Sequence, residues 1–133
     1  MPALFQTAVL ALLSAAVPMR ATATASCVAI VLQDKTKKMI TDPSPREVEI
    51  AKSVHVLAFT SQDELLLAES EGDFTVKDWD DVYEVAKTGC SGLESQAERV
   101  EMVLDDVDAG KPGMRHFIRA AMEHKVAADL HWK

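Results

Sequence analysis

Four histidines, two cysteines and a dense set of acids are the side chains in this 133-residue sequence able to act as ligands, bases or nucleophiles. His55 and His116, brought together across helices with an acid, would make a small metal or acid–base site. Metal sites on a single helix use His at i and i+4, or a carboxylate and a His at i and i+3. His116 and His124 are eight apart, and His124 and His131 seven apart, so neither spacing occurs. His55 falls among apolar residues and reads first as a core histidine satisfied by its neighbours.

The other reactive types are weighed in the same way. Gly89-Cys90-Ser91-Gly92 has the composition of a nucleophile turn. A nucleophile elbow needs Gly-x-Ser-x-Gly between a strand and a helix. Here a helix is expected before it, and the second Gly comes one residue early. Gly89 is better used as a helix stop and Ser91 as the next N-cap. Cys27 and Cys90 are far apart in the chain. A disulfide between them would contribute ~4 kcal/mol in an oxidising compartment; in a reducing one both are buried thiols.

Asp78, Asp80, Asp81, Asp105, Asp106 and Asp108 suggest calcium, but the EF-hand pattern fails. A loop counted from Asp105 has His116 at its twelfth position, and one counted from Asp78 has Tyr83 at its sixth, where Glu and Gly are required. These acids are assigned instead to a solvated face that meets a protein partner. No catalytic set, metal or cofactor emerges, and the chain is expected not to be an enzyme.

The elements that must position these residues follow from pattern. Ala3 to Val17 is apolar except for Gln6, Thr7 and Ser14. As a helix it spans about 22 Å, short for a bilayer core of about 30 Å. Three readings compete: a signal peptide cleaved at Ala21-Thr22-Ala23 or Ala23-Thr24-Ala25, a membrane anchor with contact through residues 3–19, or a core helix. Export or an organelle lumen follows from cleavage, and membrane association from retention. Cys27 to Leu32 reads as a buried strand, with Gln33 to Thr36 as a turn and Lys37 to Thr41 as a return strand, or else as a tether.

From Asp42 onward the signals are helical. Ser44-Pro45-Arg46-Glu47, Ser61-Gln62-Asp63-Glu64 and Ser91-Gly92-Leu93-Glu94 fit the capping box, and Thr75-Val76-Lys77-Asp78 is a variant with Asp for Glu. Val48, Ala51, Val54, His55 and Ala58 share one helical arc. So do Trp79, Val82, Tyr83 and Ala86, and Met114, Phe117, Ile118, Ala121, Met122 and Val126. The expected fold is mainly α: a bundle of about five short amphipathic helices over residues 44–131, after an apolar N-terminal helix and a short β-hairpin. The organisation is then residues 1–25 as leader, 26–43 as strand pair or tether, and 44–133 as the bundle.

Charge and composition bound the function. Apolar residues make up 48% and charged residues 26%, an ordinary globular balance that excludes a disordered chain or a multi-span membrane protein. The net charge of −7 argues against nucleic acid as a partner. Residues 1–41 are basic, Asp63 to Asp108 sets fifteen acids against Lys77, Lys87 and Arg99, and the last segment is basic again. The sequence thus points to a non-catalytic helical accessory subunit that docks through its charged faces on a larger, membrane-associated assembly, its acidic face meeting basic surface on the partner. Its rivals are an exported binding protein or effector stapled by Cys27–Cys90, and a small metal protein using His55 and His116.

Overall fold

The computed structural model describes residues 2–33, 36–91 and 113–130. In chain order the elements are α1 (Pro2–Ser14), β1 (Ala23–Gln33), β2 (Thr36–Thr41), α2 (Pro45–Ile50), β3 (Ser53–Thr60), β4 (Leu65–Gly72), α3 (Val76–Ser91) and α4 (Met114–Leu130). Among the described residues, four helices accompany a four-stranded antiparallel sheet of order β2-β1-β3-β4. The fold is mixed α/β, and the five-helix bundle is overturned.

The misreading is concentrated in two segments. Ser53–Thr60 (SVHVLAFT) satisfies a helical arc only because most of its positions are buried. As a strand it sends Ser53, His55, Leu57 and Phe59 to one face and Val54, Val56, Ala58 and Thr60 to the other. Its β-branched and aromatic residues suit a central strand covered on two sides. Ser61 to Glu64 is the β3–β4 turn rather than a helix start. The Thr60 hydroxyl accepts from the Gln62 and Glu64 N–H groups, and Asp63 takes a positive φ. Acid and hydroxyl at capping-box spacing serve turns equally well, because both jobs hold nearby backbone N–H groups.

The hairpin expectation agrees with the structure. β1 and β2 pair from Val28↔Thr41 to Gln33↔Thr36. They belong to the same sheet as β3 and β4, so the boundary drawn near residue 43 runs through one folded unit. β2 and β3 lie on opposite sides of β1 and point the same way, so their link must cross over. α2 provides that crossing. The expected capping box at its start is complete: the Ser44 N–H donates to Glu47 Oε2 at 2.7 Å, and the Glu47 N–H to Ser44 Oγ at 3.4 Å.

α3 packs on the sheet face formed by the even residues of β1 and the odd residues of β3. Val28, Ile30, Leu57, Phe59, Val82, Ala86 and Cys90 make the buried cluster, with Met39, Trp79, Tyr83 and Val85 packed against it. Phe59 meets Tyr83 edge-on at 5.3 Å, and Trp79 stacks on Tyr83 at 5.6 Å. Gly89 does not stop α3, which continues to Ser91.

α1 packs on β1 rather than standing apart. The Cys27 carbonyl accepts from Asp42, the last contact β1 makes with the β2 side. The Ala25 carbonyl points the same way, beyond the end of β2, and accepts from Gln6 Nε2 at 2.8 Å. One α1 side chain thus satisfies a group that the shorter strand leaves open. α1 has 13 residues and packs on β1, and no described helix is long and apolar enough to cross a membrane. Both cleavage patterns overlap β1, where Ala23 pairs with Thr60 and Ala25 with Ala58.

α4 lies where the last helix is expected, but with a narrower buried face. Ile118 is buried while Phe117 and Val126 are exposed. The helix expected after Ser91, with its capping box and Asp105, Asp106 and Asp108, lies outside the described residues, as does His131.

Gly72 closes β4 with φ +98°, and a Cβ there would collide with the Lys52 carbonyl oxygen and sit 2.9 Å from the Ser53 Cα. Backbone, not a flexible side chain, forms the obstruction. Gly72→Ala is therefore expected to cost at least ~2 kcal/mol, read as a lower urea midpoint at unchanged slope.

Candidate functional site

The richest polar grouping lies where the N-terminus of α3 meets the sheet. Thr75 caps the helix, and its box with Asp78 forms as expected. The Thr75 N–H donates to Asp78 Oδ2 at 3.0 Å, and the Asp78 N–H donates to Thr75 Oγ1 at 3.2 Å. Lys37 reaches across from β2 and grips both oxygens of the same carboxylate, at 2.5 and 2.7 Å. Asp78 is nearly buried. The Lys37 ammonium first, then the Thr75 N–H and hydroxyl, hold its carboxyl far below the ordinary carboxylate range.

The second half of the cluster is on β3 and β4. His55 is fully buried, and both ring nitrogens are engaged: Nδ1 with Ser70 Oγ at 2.8 Å, Nε2 with Ser53 Oγ at 3.0 Å. Ser70 is its direct neighbour across the β3–β4 pair, and Ser53 lies two residues away on the same face. The Phe74 ring stands edge-on to the imidazole at 4.8 Å. Burial pushes the His55 pKa down, against an opposing pull from the Asp78 charge.

This arrangement positions groups more than it reacts them. Ser70 and His55 have the spacing of a nucleophile and its base. The third position, however, is the Ser53 hydroxyl, where an orienting carboxylate would raise the basicity of the ring. Lys37 and Asp78 satisfy each other. The cluster ties β2, β3, β4 and the start of α3 together, and neutral imidazole is the form it favours.

The remaining sequence candidates are scattered. Cys27 and Cys90 are free. Cys27 alternates with Val28, so it lies on the sheet face away from α3. Cys90 packs with Val28 under α3, and its thiol donates to the Thr24 carbonyl at 3.6 Å. The sheet stands between them, and the disulfide is ruled out. Burial raises the pKa of both thiols, which disfavours the nucleophilic thiolate. His116 is exposed on α4 and is not brought to His55. Asp78 turns inward to Lys37, while Asp80 and Asp81 are exposed, so these three acids do not form one face. Among the described residues, no three His, Cys, Asp or Glu side chains could hold a metal ion.

Sequence reasoning found Asp78 through its cap and His55 through its type. It missed Lys37, Ser53 and Ser70, whose roles depend on strand pairing. The single signal available was alternation: once β3 is a strand, Ser53 and His55 share a face.

The family model for the 3′ exoribonuclease family, domain 2, matches residues 23–89. That stretch is half of the chain and coincides with β1 through nearly all of α3, the polar cluster included. The chain belongs to this family. Its fold is similar to that in the crystal structure of rice (Oryza sativa) Rrp46, with a TM-score of 0.55 and 25% identity. The likeness covers 62% of this chain and 38% of the rice chain. No curated protein matches.

Family membership corrects three further expectations. The helical docking subunit, the exported effector and the His55/His116 metal protein all give way to an exoribonuclease-family domain. So does the partner assignment of basic protein surface with membrane contact through residues 3–19. The exclusion of nucleic acid fails as well, since it treated −7 as one number. Net charge sums over the whole chain, whereas recognition depends on local fields, and many of the acids counted fall in residues 92–112.

Two tests of the cluster follow. His55→Ala removes a buried ring and strands the buried Ser53 hydroxyl, with an expected loss of about 2–4 kcal/mol in a denaturant titration. For pH, the folded-state His55 pKa lies below its ordinary 6.5. The unfolded chain therefore takes up the proton first. The stabilisation is complete above the ordinary value and is lost as pH falls through the folded one. Urea midpoints measured from about pH 7.5 down to 5 should fall in the wild type and flatten in His55→Gln.

Proposed function

We propose that this chain acts in 3′-end degradation or processing of RNA, as a domain-2 unit working with the complementary part of an exoribonuclease-type fold. The observation that carries this reading is the family match over residues 23–89, which begins with β1 and ends within the last turn of α3. The rice Rrp46 likeness supports it, and this chain spans only 38% of that protein's length. The complementary part is either a further portion of a longer protein or a separate chain.

The polar cluster supports a scaffolding share in that work. Its charged and hydrogen-bonding groups are consumed in fixing α3 to the sheet, so substrate chemistry falls to residues supplied with the complementary part.

The test uses the native protein isolated under mild conditions and, separately, the 133-residue chain. Each is incubated with single-stranded RNA labelled at its 5′ end, with and without inorganic phosphate. The native preparation is expected to shorten the RNA from its 3′ end, giving a ladder of labelled products. The isolated chain is expected to leave it intact. A native preparation that neither binds nor shortens the RNA overturns the RNA reading. Shortening by the isolated chain overturns the division of labour.

A further inference from the structure

The composition of α1 and its position in the fold are at odds. No Asp, Glu, Lys or Arg occurs from Pro2 to Met19. A helix that is apolar on all sides belongs inside a larger body, yet α1 is covered on one side alone. Val9 is buried, and Gln6 on the same side reaches the Ala25 carbonyl. Leu4, Ala8 and Ala11 follow one another at spacings of four and three along the opposite side, flanked by Thr7 and Leu12, and all five are exposed. Leu4 is 72% exposed and Leu12 44%. Even the Thr7 hydroxyl turns back, donating to the Ala3 carbonyl at 2.7 Å. The outward side is an uncharged, apolar strip.

Its chemistry and its place select an occupant. The strip carries no group to hold a phosphate, so RNA does not fit it. Exposed apolar surface of this kind marks a protein contact, and Ala8 and Ala11 are small enough to let a partner approach the helix closely. α1 lies just before the matched stretch, which begins at residue 23, and its inner side is tied to β1, the first strand of that stretch. A partner on the outer side is thereby held at a fixed position relative to the matched domain. Two parts that build one site require this, since a misplacement of about 1 Å can cost catalysis about a hundredfold. The chain spans 38% of the rice Rrp46 chain, so a complementary part of that fold remains to be seated. A second copy of this chain could cover the strip, but it supplies none of that part.

We propose that the outward strip of α1 is the seat of the complementary part of the exoribonuclease-type fold, which covers Leu4, Ala8, Ala11 and Leu12 with apolar surface of its own. The proposal rests on the reading of this chain as a domain-2 unit that works with such a part. α1 is then a shared helix, its inner side in one packed body and its outer side in the other.

Photo-leucine incorporated into the native protein tests this, because Leu4 and Leu12 then carry their own cross-linker. Irradiation should join these two positions to a segment outside the 133 residues that belongs to the exoribonuclease-type remainder. Ala8→Glu sets an unpaired carboxylate inside the contact and should cut the yield of these cross-links about tenfold or more. Ala8→Ser, small and uncharged, should keep them. In the isolated chain position 8 is exposed, so Ala8→Glu should leave its urea midpoint unchanged, which separates lost contact from lost folding. Cross-links from Leu4 and Leu12 to residues 2–19 of a second copy, or to a protein unrelated to the family, overturn the proposal. So does the absence of cross-links at both positions, or a yield that Ala8→Glu leaves intact. RNA takes no part in the experiment, so the two readings fail separately. Failure to shorten RNA with these cross-links in place overturns the RNA reading alone, and shortening without them overturns the seat alone.

Discussion

The seat of α3 on the sheet is the constraint that the rest of the fold obeys. Its buried residues Val82, Ala86 and Cys90 meet Val28 and Ile30 from β1 and Leu57 and Phe59 from β3. Fully burying side chains of this size is worth roughly 1.5–3 kcal/mol each for the larger ones. That apolar contact supplies the attraction, but it is tolerant of sliding. The polar groups at either end remove the freedom. At the start of the helix, Asp78 is shared between the Thr75 cap and Lys37; near its end, the Cys90 thiol reaches the Thr24 carbonyl.

This division explains why a charged pair sits at the margin of a core. A buried ion pair is a poor source of net stability, since desolvation offsets its attraction. A bidentate grip of Lys37 on a carboxylate already fixed by a cap is selective, however. A one-residue slip of β2 would turn Lys37 to the opposite face of the sheet and leave Asp78 alone in a nearly dry position. The same logic applies to His55, whose two nitrogens report the relative placement of β3 and β4 through Ser53 and Ser70. Register is specified by groups that are costly when unmatched.

What was legible in the sequence divides along the same line. Local signals survived: the Ser44 and Thr75 boxes, the apolar α1, the extent of α4, and the β1–β2 hairpin each depend on a few neighbouring residues. The long-range fold did not survive, because β3 occupies the centre of the sheet and most of its positions are buried. With most positions apolar, the periods 2 and 3.6 cannot be separated. β4 was lost for the opposite reason. Its three leucines are consecutive and exposed at an edge, so no alternation marks them, and the preceding Ser-x-x-Glu suggested a helix. The site inherited these errors: Asp78 was placed on an outward acidic face because its partner, Lys37, lies 41 positions earlier on a strand whose pairing was not yet known.

The charge pattern, read along the chain as three blocks, has a different meaning once folded. Lys37 and Lys38 belong to the basic first block, yet they stand on one sheet edge, while Glu69 and Glu71 of the acidic block stand on the other. Within the sheet, the segregation is therefore lateral. Net charge misled the sequence reading because it discards position, and position is what strand order restores.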